Sequence, residues 1–317
     1  MKKIILILSF LTITVSVFAQ NDIQLSQQIN NRVVFNPAAT GQSGCYNFTV
    51  LDREQWIGIK DAPSTQLFNF NKYIKKAKLG LGLTVVHDRL GVESSLGAKV
   101  LIAYHAWLTD KMVLSFGIGA GIINKTINYS ALTWDDPTEA GIKTGKEGKL
   151  TPDFDFGLEF NYKGLSLGAS STHLITSLKK STTFKVPRHI YAYAKYAIKC
   201  SPSFELVPAV SYNNVGTVHL LELNAMANIK DRVSAGLSYR GGINAKSSEN
   251  DLPAMGTDAL AIIAGIKIVE QVRISYSYDI KLGGIKYGST KGSHELMLLC
   301  RFGCNNKDQE PHPRFFN

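Results

Sequence analysis

The stretch Val272-Arg273-Ile274-Ser275-Tyr276-Ser277-Tyr278-Asp279-Ile280-Lys281 alternates apolar and polar side chains from end to end. In an extended strand, successive side chains leave on opposite faces. Val272, Ile274, Tyr276, Tyr278 and Ile280 therefore share one face, opposed by Arg273, Ser275, Ser277, Asp279 and Lys281. The pattern recurs in 153–162, where Phe154, Phe156, Leu158, Phe160 and Tyr162 oppose Asp153, Asp155, Gly157, Glu159 and Asn161. It recurs again in 232–240, with Val233, Ala235, Leu237 and Tyr239 against Arg232, Ser234, Gly236, Ser238 and Arg240. In 220–229, Leu221, Leu223, Ala225, Ala227 and Ile229 oppose Glu222, Asn224, Met226 and Asn228. Amphipathic helical periodicity is hard to find anywhere.

Counting such segments gives about fourteen, each near the length of a tilted membrane strand. They are predicted near 45–52, 64–73, 78–88, 94–106, 112–126, 153–162, 164–174, 187–198, 203–213, 218–229, 231–241, 258–267, 271–281 and 293–302. Links after even strands are mostly tight, as in Leu108-Thr109-Asp110-Lys111, Tyr162-Lys163-Gly164, Ile229-Lys230-Asp231 and Val269-Glu270-Gln271. Links after odd strands are mostly long, at 127–152, 175–186 and 242–257, with a short exception near Asn213 to Thr217. Short turns on one rim and long loops on the other match an outer-membrane barrel with its short turns in the periplasm. An open sheet of this size would expose two unpaired edges, and lipid leaves unpaired backbone groups unsatisfied. The fold class predicted is all-β, a closed transmembrane β-barrel of about fourteen antiparallel strands, with apolar faces to lipid and charged faces to the lumen. Gly80, Gly82, Gly97, Gly117, Gly119 and Gly121 thin one face of strands three to five, where backbone or a ligand can approach closely. A soluble sandwich or propeller would share the alternation. Against it, the apolar faces are aromatic and continuous, and no blade-length repeat occurs.

The composition agrees. Of 317 residues, 44% are hydrophobic and 19% charged, which excludes a disordered chain. No apolar run of eighteen residues follows the first twenty, so no internal helix spans a bilayer. The net charge is +10, and 10 − 2 = +8 once Lys2 and Lys3 are discounted. These cations are scattered, with the densest cluster at Lys72 to Lys78, so no nucleic-acid partner is expected. Met1-Lys2-Lys3, the apolar run Ile4 to Phe18 and Val17-Phe18-Ala19 form a secretory signal peptide, cleaved after Ala19. No cysteine follows that site, so no lipoprotein is expected. The expected segments are 1–19 signal peptide, 20–43 periplasmic or plug segment, 44–303 barrel and 304–317 periplasmic tail. Both termini are expected on the periplasmic side.

Catalytic and metal motifs fall away on inspection. Gly164-Leu165-Ser166-Leu167-Gly168 matches a nucleophile elbow in letters but opens a strand rather than a helix. Gly117-x-Gly119-x-Gly121 lies within a strand and cannot form a phosphate loop. His294-Glu295 lacks a second histidine, since position 298 is Leu298. The seven histidines show no ligand spacing, and Asp135-Asp136 reads as a solvated loop rather than a Ca²⁺ site. No catalytic residue, metal or cofactor is expected. Cys45, Cys200, Cys300 and Cys304 can pair in three ways. Barrel closure lays the first strand against the last, which favours a Cys45–Cys304 disulfide in an oxidising compartment while leaving the other pairings open.

Several short motifs occur in a fixed order. Asn36-Pro37-Ala38-Ala39-Thr40-Gly41 is followed by Arg53-Glu54-Gln55-Trp56 and Ala62-Pro63-Ser64-Thr65-Gln66. Asp88 and Gly91 follow a Leu-Gly-Leu-Gly-Leu strand, Gly292-Ser293-His294-Glu295 opens the last strand, and Pro313-Arg314-Phe315-Phe316 closes the chain. This order resembles the PorP/SprF family of Bacteroidetes outer-membrane proteins of the type IX secretion system, over essentially the whole mature chain. One departure is the stretch Ile29 to Val34 before Phe35, where Tyr or Phe would be expected.

The resemblance implies a non-enzymatic component that recognises the C-terminal domain of a secreted partner, including large gliding adhesins, for export or surface attachment. It also implies contacts with periplasmic secretion or peptidoglycan-binding components, and with outer-membrane lipid. On physical grounds Asn36-Pro37 starts a turn. Trp56 suits aromatic-belt anchoring near the end of strand one. Arg53 and Gln55 can hydrogen-bond in the lumen, and Asp88 with Gly91 suits a tight rim loop. The aromatic tail suits docking to a partner, and the long loops carry specificity. The competing classes are a porin or solute channel, which shares the barrel and polar lumen, and an outer-membrane lipid hydrolase.

Overall fold

In the computed structural model, the alternating segments close on themselves. The structure describes residues 23–132, 143–176, 184, 186–216, 218–243, 259–282 and 290–304. The expected signal peptide, the tail motif Arg314-Phe315-Phe316, Asp135-Asp136 and the tips of the three long loops lie outside these residues.

The wall consists of β1 (Tyr46–Glu54), β2 (Ser64–Ile74), β3 (Leu79–Leu90), β4 (Glu93–Thr109), β5 (Met112–Asn128), β6 (Lys146–Tyr162), β7 (Leu165–Thr172), β8 (His189–Tyr196), β9 (Ile198–Ser201), β10 (Phe204–Val215), β11 (Val218–Ile229), β12 (Val233–Gly242), β13 (Ala259–Val269), β14 (Val272–Lys281) and β15 (Ser293–Phe302). β8 and β9 lie end to end along β10 and form one interrupted strand, so the wall counts as fourteen strands. The break falls at Ala197, whose N–H turns to the Gly164 carbonyl at 3.0 Å. Every neighbour is antiparallel, and the ring closes where β1 pairs β15, from Tyr46 opposite Phe302 to Glu54 opposite His294. Among the described residues no helix is long and apolar enough to cross a membrane.

The two faces separate as the alternation demands. On β6, Phe154, Phe156 and Leu158 face outward, while Asp153, Asp155 and Glu159 are buried inside. On β14, Tyr276 points out and Ser275, Ser277 and Asp279 point in. In lipid the outward apolar side chains sit in their preferred solvent, and closure leaves no free edge on the membrane wall. The strands differ from expectation mainly in length. β4, β5 and β6 each run 17 residues. β6 begins at Lys146, seven residues before the predicted start at 153, because Lys146 to Pro152 pair in register with Asn128 to Ile122 of β5.

The lumen is not empty. Residues 23–43 run inside it through three short 3₁₀ turns, Gln28–Asn30, Arg32–Val34 and Pro37–Ala39. Leu25 and Phe35 of this segment pack with the inward side chains Leu51, Leu67, Tyr191 and Met297 into a small apolar core within the barrel. Cys45 and Cys304 are joined by a disulfide at the seam between the first and last strands, and Cys200 and Cys300 are free. Cys200 is exposed, whereas Cys300 is half-buried on β15. Maleimide labelling of the intact, oxidised protein should modify Cys200 and leave Cys45 and Cys304 untouched. Peptide mapping without reductant should recover 45 and 304 as one linked pair, and free thiols at both positions would refute the seam link.

Candidate functional site

The chemistry of this barrel is concentrated where the inner segment meets the wall. The upper contact, toward the long loops, is built on Arg53. Its alternation on β1 aims it inward, where it is 1% exposed. Its Nη2 donates to Asp279 Oδ2 of β14 at 2.7 Å, and its Nη1 to Glu295 Oε2 of β15 at 3.1 Å and Ser26 Oγ at 2.7 Å. Glu295 also accepts the backbone N–H groups of Ser26 and Gln27, at 2.8 and 3.0 Å. The Ser26 hydroxyl hydrogen-bonds Asp279 as well. Arg240 of β12 donates to the Leu25 carbonyl at 3.1 Å and pairs with Glu222 at 3.7 Å. Two carboxylates and one guanidinium thus clamp the start of the inner segment to three strands beside the seam.

The middle contact is built on Asn36-Pro37-Ala38-Ala39. Asn36 caps the turn by accepting the Ala38 N–H at 2.9 Å, and Pro37 takes the first helical position. The Asn36 amide donates to the Leu158 carbonyl at 2.9 Å and to the Tyr193 hydroxyl at 3.0 Å. Tyr193 in turn bonds Glu159, which pairs with Arg32 at 3.2 Å. The His105 ring faces the Thr40 carbonyl at 2.9 Å, and Gly41 N–H reaches Asn71 at 3.2 Å.

Glycines make this approach feasible. A Cβ on Gly80 would stand 1.9 Å from the Thr40 oxygen, one on Gly117 2.2 Å from the Ala38 nitrogen, and one on Gly157 2.0 Å from Asn36 Oδ1. Of the thinned positions, Gly80, Gly82 and Gly117 seat the turn by its close approach to the wall backbone, whereas a Cβ on Gly97, Gly119 or Gly121 would meet atoms of the wall.

The segment divides the lumen. On the long-loop side lies a cavity of about 150 Å³ floored by Val34, Phe35 and Val86. Asp155 and His173 line it, and with Asp153 behind them their ligand atoms lie within 4.8 Å of one another. The Lys99 ammonium reaches across β5 and stands 2.6 Å from Asp153 and 2.8 Å from Asp155, so the chain supplies its own cation there. On the turn side lies a vestibule of about 870 Å³, roofed by Asn31, Arg32 and Gln42 and walled by Lys199, Lys267 and Arg301 together with Glu205, Asp231 and Glu270.

The motif residues scatter among these places. Asn36, Pro37, Ala38 and Gly41 form the middle contact, and Arg53 with Glu295 forms the upper one. His294, beside Glu295, faces outward against Tyr276 and Tyr278. Gln55 and Pro63 join through a backbone bond of 2.9 Å that closes the loop after β1. Trp56 lies past the end of β1 with φ of 50°, half-buried in that loop, with the Lys281 ammonium 4.8 Å over its ring. Asp88 accepts the Thr65 hydroxyl at 2.6 Å, and Gly91, with φ of 59°, makes the β3–β4 turn. Ser166 is fully buried on the inner wall with no His–carboxylate pair beside it among the described contacts.

Ser26, Arg32, Lys99, His105, Glu159, Tyr193, Arg240 and Asp279 are among the site members the motifs did not name. The alternation had already put Glu159, Arg240 and Asp279 on an inner face, but strand patterning carries no information about partners across a lumen. Replacing Arg53 by alanine should leave two buried carboxylates uncompensated and cost about 3–5 kcal/mol. Urea-induced unfolding in detergent measures this, and protease access to 23–43 should rise with it.

The description "Type IX secretion system membrane protein PorP/SprF" belongs to a family model that matches residues 17–299. Among solved structures, the chain is similar to the deltaS2S3 mutant of the monoaromatic hydrocarbon channel TodX, with a TM-score of 0.55 and 11% identity over 85% of this chain and 93% of that one. It is also similar to the toluene transporter TbuX of Ralstonia pickettii, with a TM-score of 0.51 and 11% identity over 84% of this chain and 92% of that one. At this identity the likeness establishes a shared outer-membrane barrel fold alone. A comparison with curated proteins finds no significant match. The family match covers most of the sequence, and the chain belongs to the PorP/SprF family.

Proposed function

We propose, with membership of this family as the premise, that the protein is a non-enzymatic outer-membrane component of the type IX secretion system. Its task is to support export or surface attachment of a partner protein, such as a gliding adhesin, by recognising the partner's C-terminal domain. One observation carries the reading: residues 23–43 fill the lumen and are bonded to strands on several sides. A general porin needs a wet, continuous passage between its mouths. Here two carboxylates, a guanidinium and an apolar core stand in that path. What remains for function is the surface at the two mouths, where the long loops and the wide, charged vestibule lie.

The partner is found by affinity. With a tag in loop 242–257, mild detergent extraction should co-purify one large secreted protein, and that protein should be lost when its C-terminal domain is deleted. Periplasmic ring or peptidoglycan-binding components without cargo would shift the role to the core machinery. Planar-bilayer recording should find little steady conductance in the intact protein and a marked rise once 23–43 are deleted. Stable solute-selective conductance of the intact protein would instead establish a channel.

A further inference from the structure

Three turns on the short-turn rim hold a lysine where the backbone favours another residue. Lys78, Lys163 and Lys230 have φ of 54°, 43° and 50°. This left-handed region is carried most easily by Gly, Asn and Asp. Lys163-Gly164 and Lys230-Asp231 form the tips of two hairpins, a place whose favoured pair is Asn-Gly. All three lysines are exposed, so no packing inside the barrel explains the choice. What lysine supplies there, and asparagine does not, is a positive charge on a long stem.

The rest of the rim has the same sign. Its turns also carry exposed Lys75, Lys76, Lys111 and Arg232, making 3 + 4 = 7 basic residues against Asp110, Asp231 and Glu270. Asp231 is already bound to Lys267 and to Arg273. Just inside the rim stands the outward apolar band, with Leu108, Tyr196, Phe204, Ile229, Val233 and Val269 exposed. The cations therefore sit at the level where a bilayer changes from acyl chain to headgroup, and their aliphatic stems can lie along the apolar band.

The distribution distinguishes between partners. Lys78 is in the β2–β3 turn, Lys163 in β6–β7 and Lys230 in β11–β12, so the three are spread around the ring. A folded protein docking on this rim would cover one arc, whereas a leaflet meets the whole circumference. Short turns lie on the periplasmic side of such barrels. We propose that this lysine ring binds the anionic phospholipid headgroups of the periplasmic leaflet, fixing the depth and tilt of the barrel.

The test reconstitutes the full-length protein in nanodiscs of phosphatidylcholine with and without phosphatidylglycerol. Retained lipid is then quantified by mass spectrometry after partial delipidation. The wild type should enrich phosphatidylglycerol. The triple variant Lys78→Asn, Lys163→Asn, Lys230→Asn should lose roughly fivefold of that enrichment for each lysine removed. Its unfolding temperature in pure phosphatidylcholine should stay the same or rise, because asparagine fits the left-handed turns better. The triple Lys→Arg variant should keep the enrichment. A wild type that shows no phosphatidylglycerol preference overturns the proposal by itself. An asparagine variant with undiminished enrichment overturns it too. A variant that unfolds at lower temperature in pure phosphatidylcholine would mean the lysines are structural.

Discussion

The buried guanidinium of Arg53 is the interaction on which the rest of the structure depends. Taking three ions out of water costs several kcal/mol for each, and the attraction between them repays this only with good geometry and further hydrogen bonds. Both conditions are met. Arg53 contacts Asp279, Glu295 and Ser26, and Glu295 uses its remaining capacity on two backbone N–H groups of the inner segment. These residues come from β1, β14 and β15, the strands on either side of the closing seam. The same cluster therefore ties down the seam and the segment that fills the lumen. At the turn rim, the Cys45–Cys304 bond fastens the other end of that seam.

A barrel in lipid faces two solvents. Outside, Leu, Ile, Phe and Tyr side chains meet acyl chains, and the backbone is satisfied strand to strand. Inside, the polar faces need partners, and water or protein must supply them. Here protein supplies much of it. Asn36 and Arg32 donate to β6 and β8, and the carbonyls of Thr40 and Leu25 accept from β4 and β12. Leu25 and Phe35 give an apolar centre to inward residues that water would hydrate poorly. The lumen thus folds like the interior of a small soluble domain, with a central apolar cluster and ion pairs around it.

The sequence made the wall legible because period-two alternation is a local signal. Strand 272–281 announces both its extent and its faces, and 153–162 announces its faces. The glycines of β3 and β5 were also legible as a thin place in the wall, and the structure seats the Asn-Pro-Ala-Ala turn there. Other features carried no local signal. β6 starts at Lys146 because β5 offers it backbone pairing, though Lys146-Glu147-Gly148-Lys149 has no apolar face. The break at Ala197 depends on a carbonyl of the neighbouring hairpin, Gly164. Ser26 looks like any linker serine until Arg53, Asp279 and Glu295 are placed around it. Leu51 and Met297 point inward although the inner face was expected to be charged, because Leu25 and Phe35 fill the space they face. Partnership across a lumen is a long-range property, and single-strand patterns cannot encode it.

The way the inner segment is held bears on how the barrel can work. Its contacts run from Ser26 near the long-loop side to Cys45 at the turn rim, and they reach strands all around the ring. Its turn sits in a glycine-lined seat where the wall allows no side chain. A segment anchored at both ends and gripped in the middle cannot swing aside about one hinge. Clearing the lumen would break the Arg53 cluster, the Asn36–Tyr193–Glu159–Arg32 chain and the apolar core together, and each loss would leave buried polar groups unpaired. Exchange with a partner is therefore far less costly at the mouths than through the middle. The two mouths also differ in kind: a small pocket with an apolar floor and an internally neutralised Lys99–Asp153–Asp155 cluster on one side, and on the other a wide vestibule walled by charges of both signs, with Lys267 and Arg273 paired to Asp231. A barrel built this way presents two unlike faces held in fixed register by its own plug.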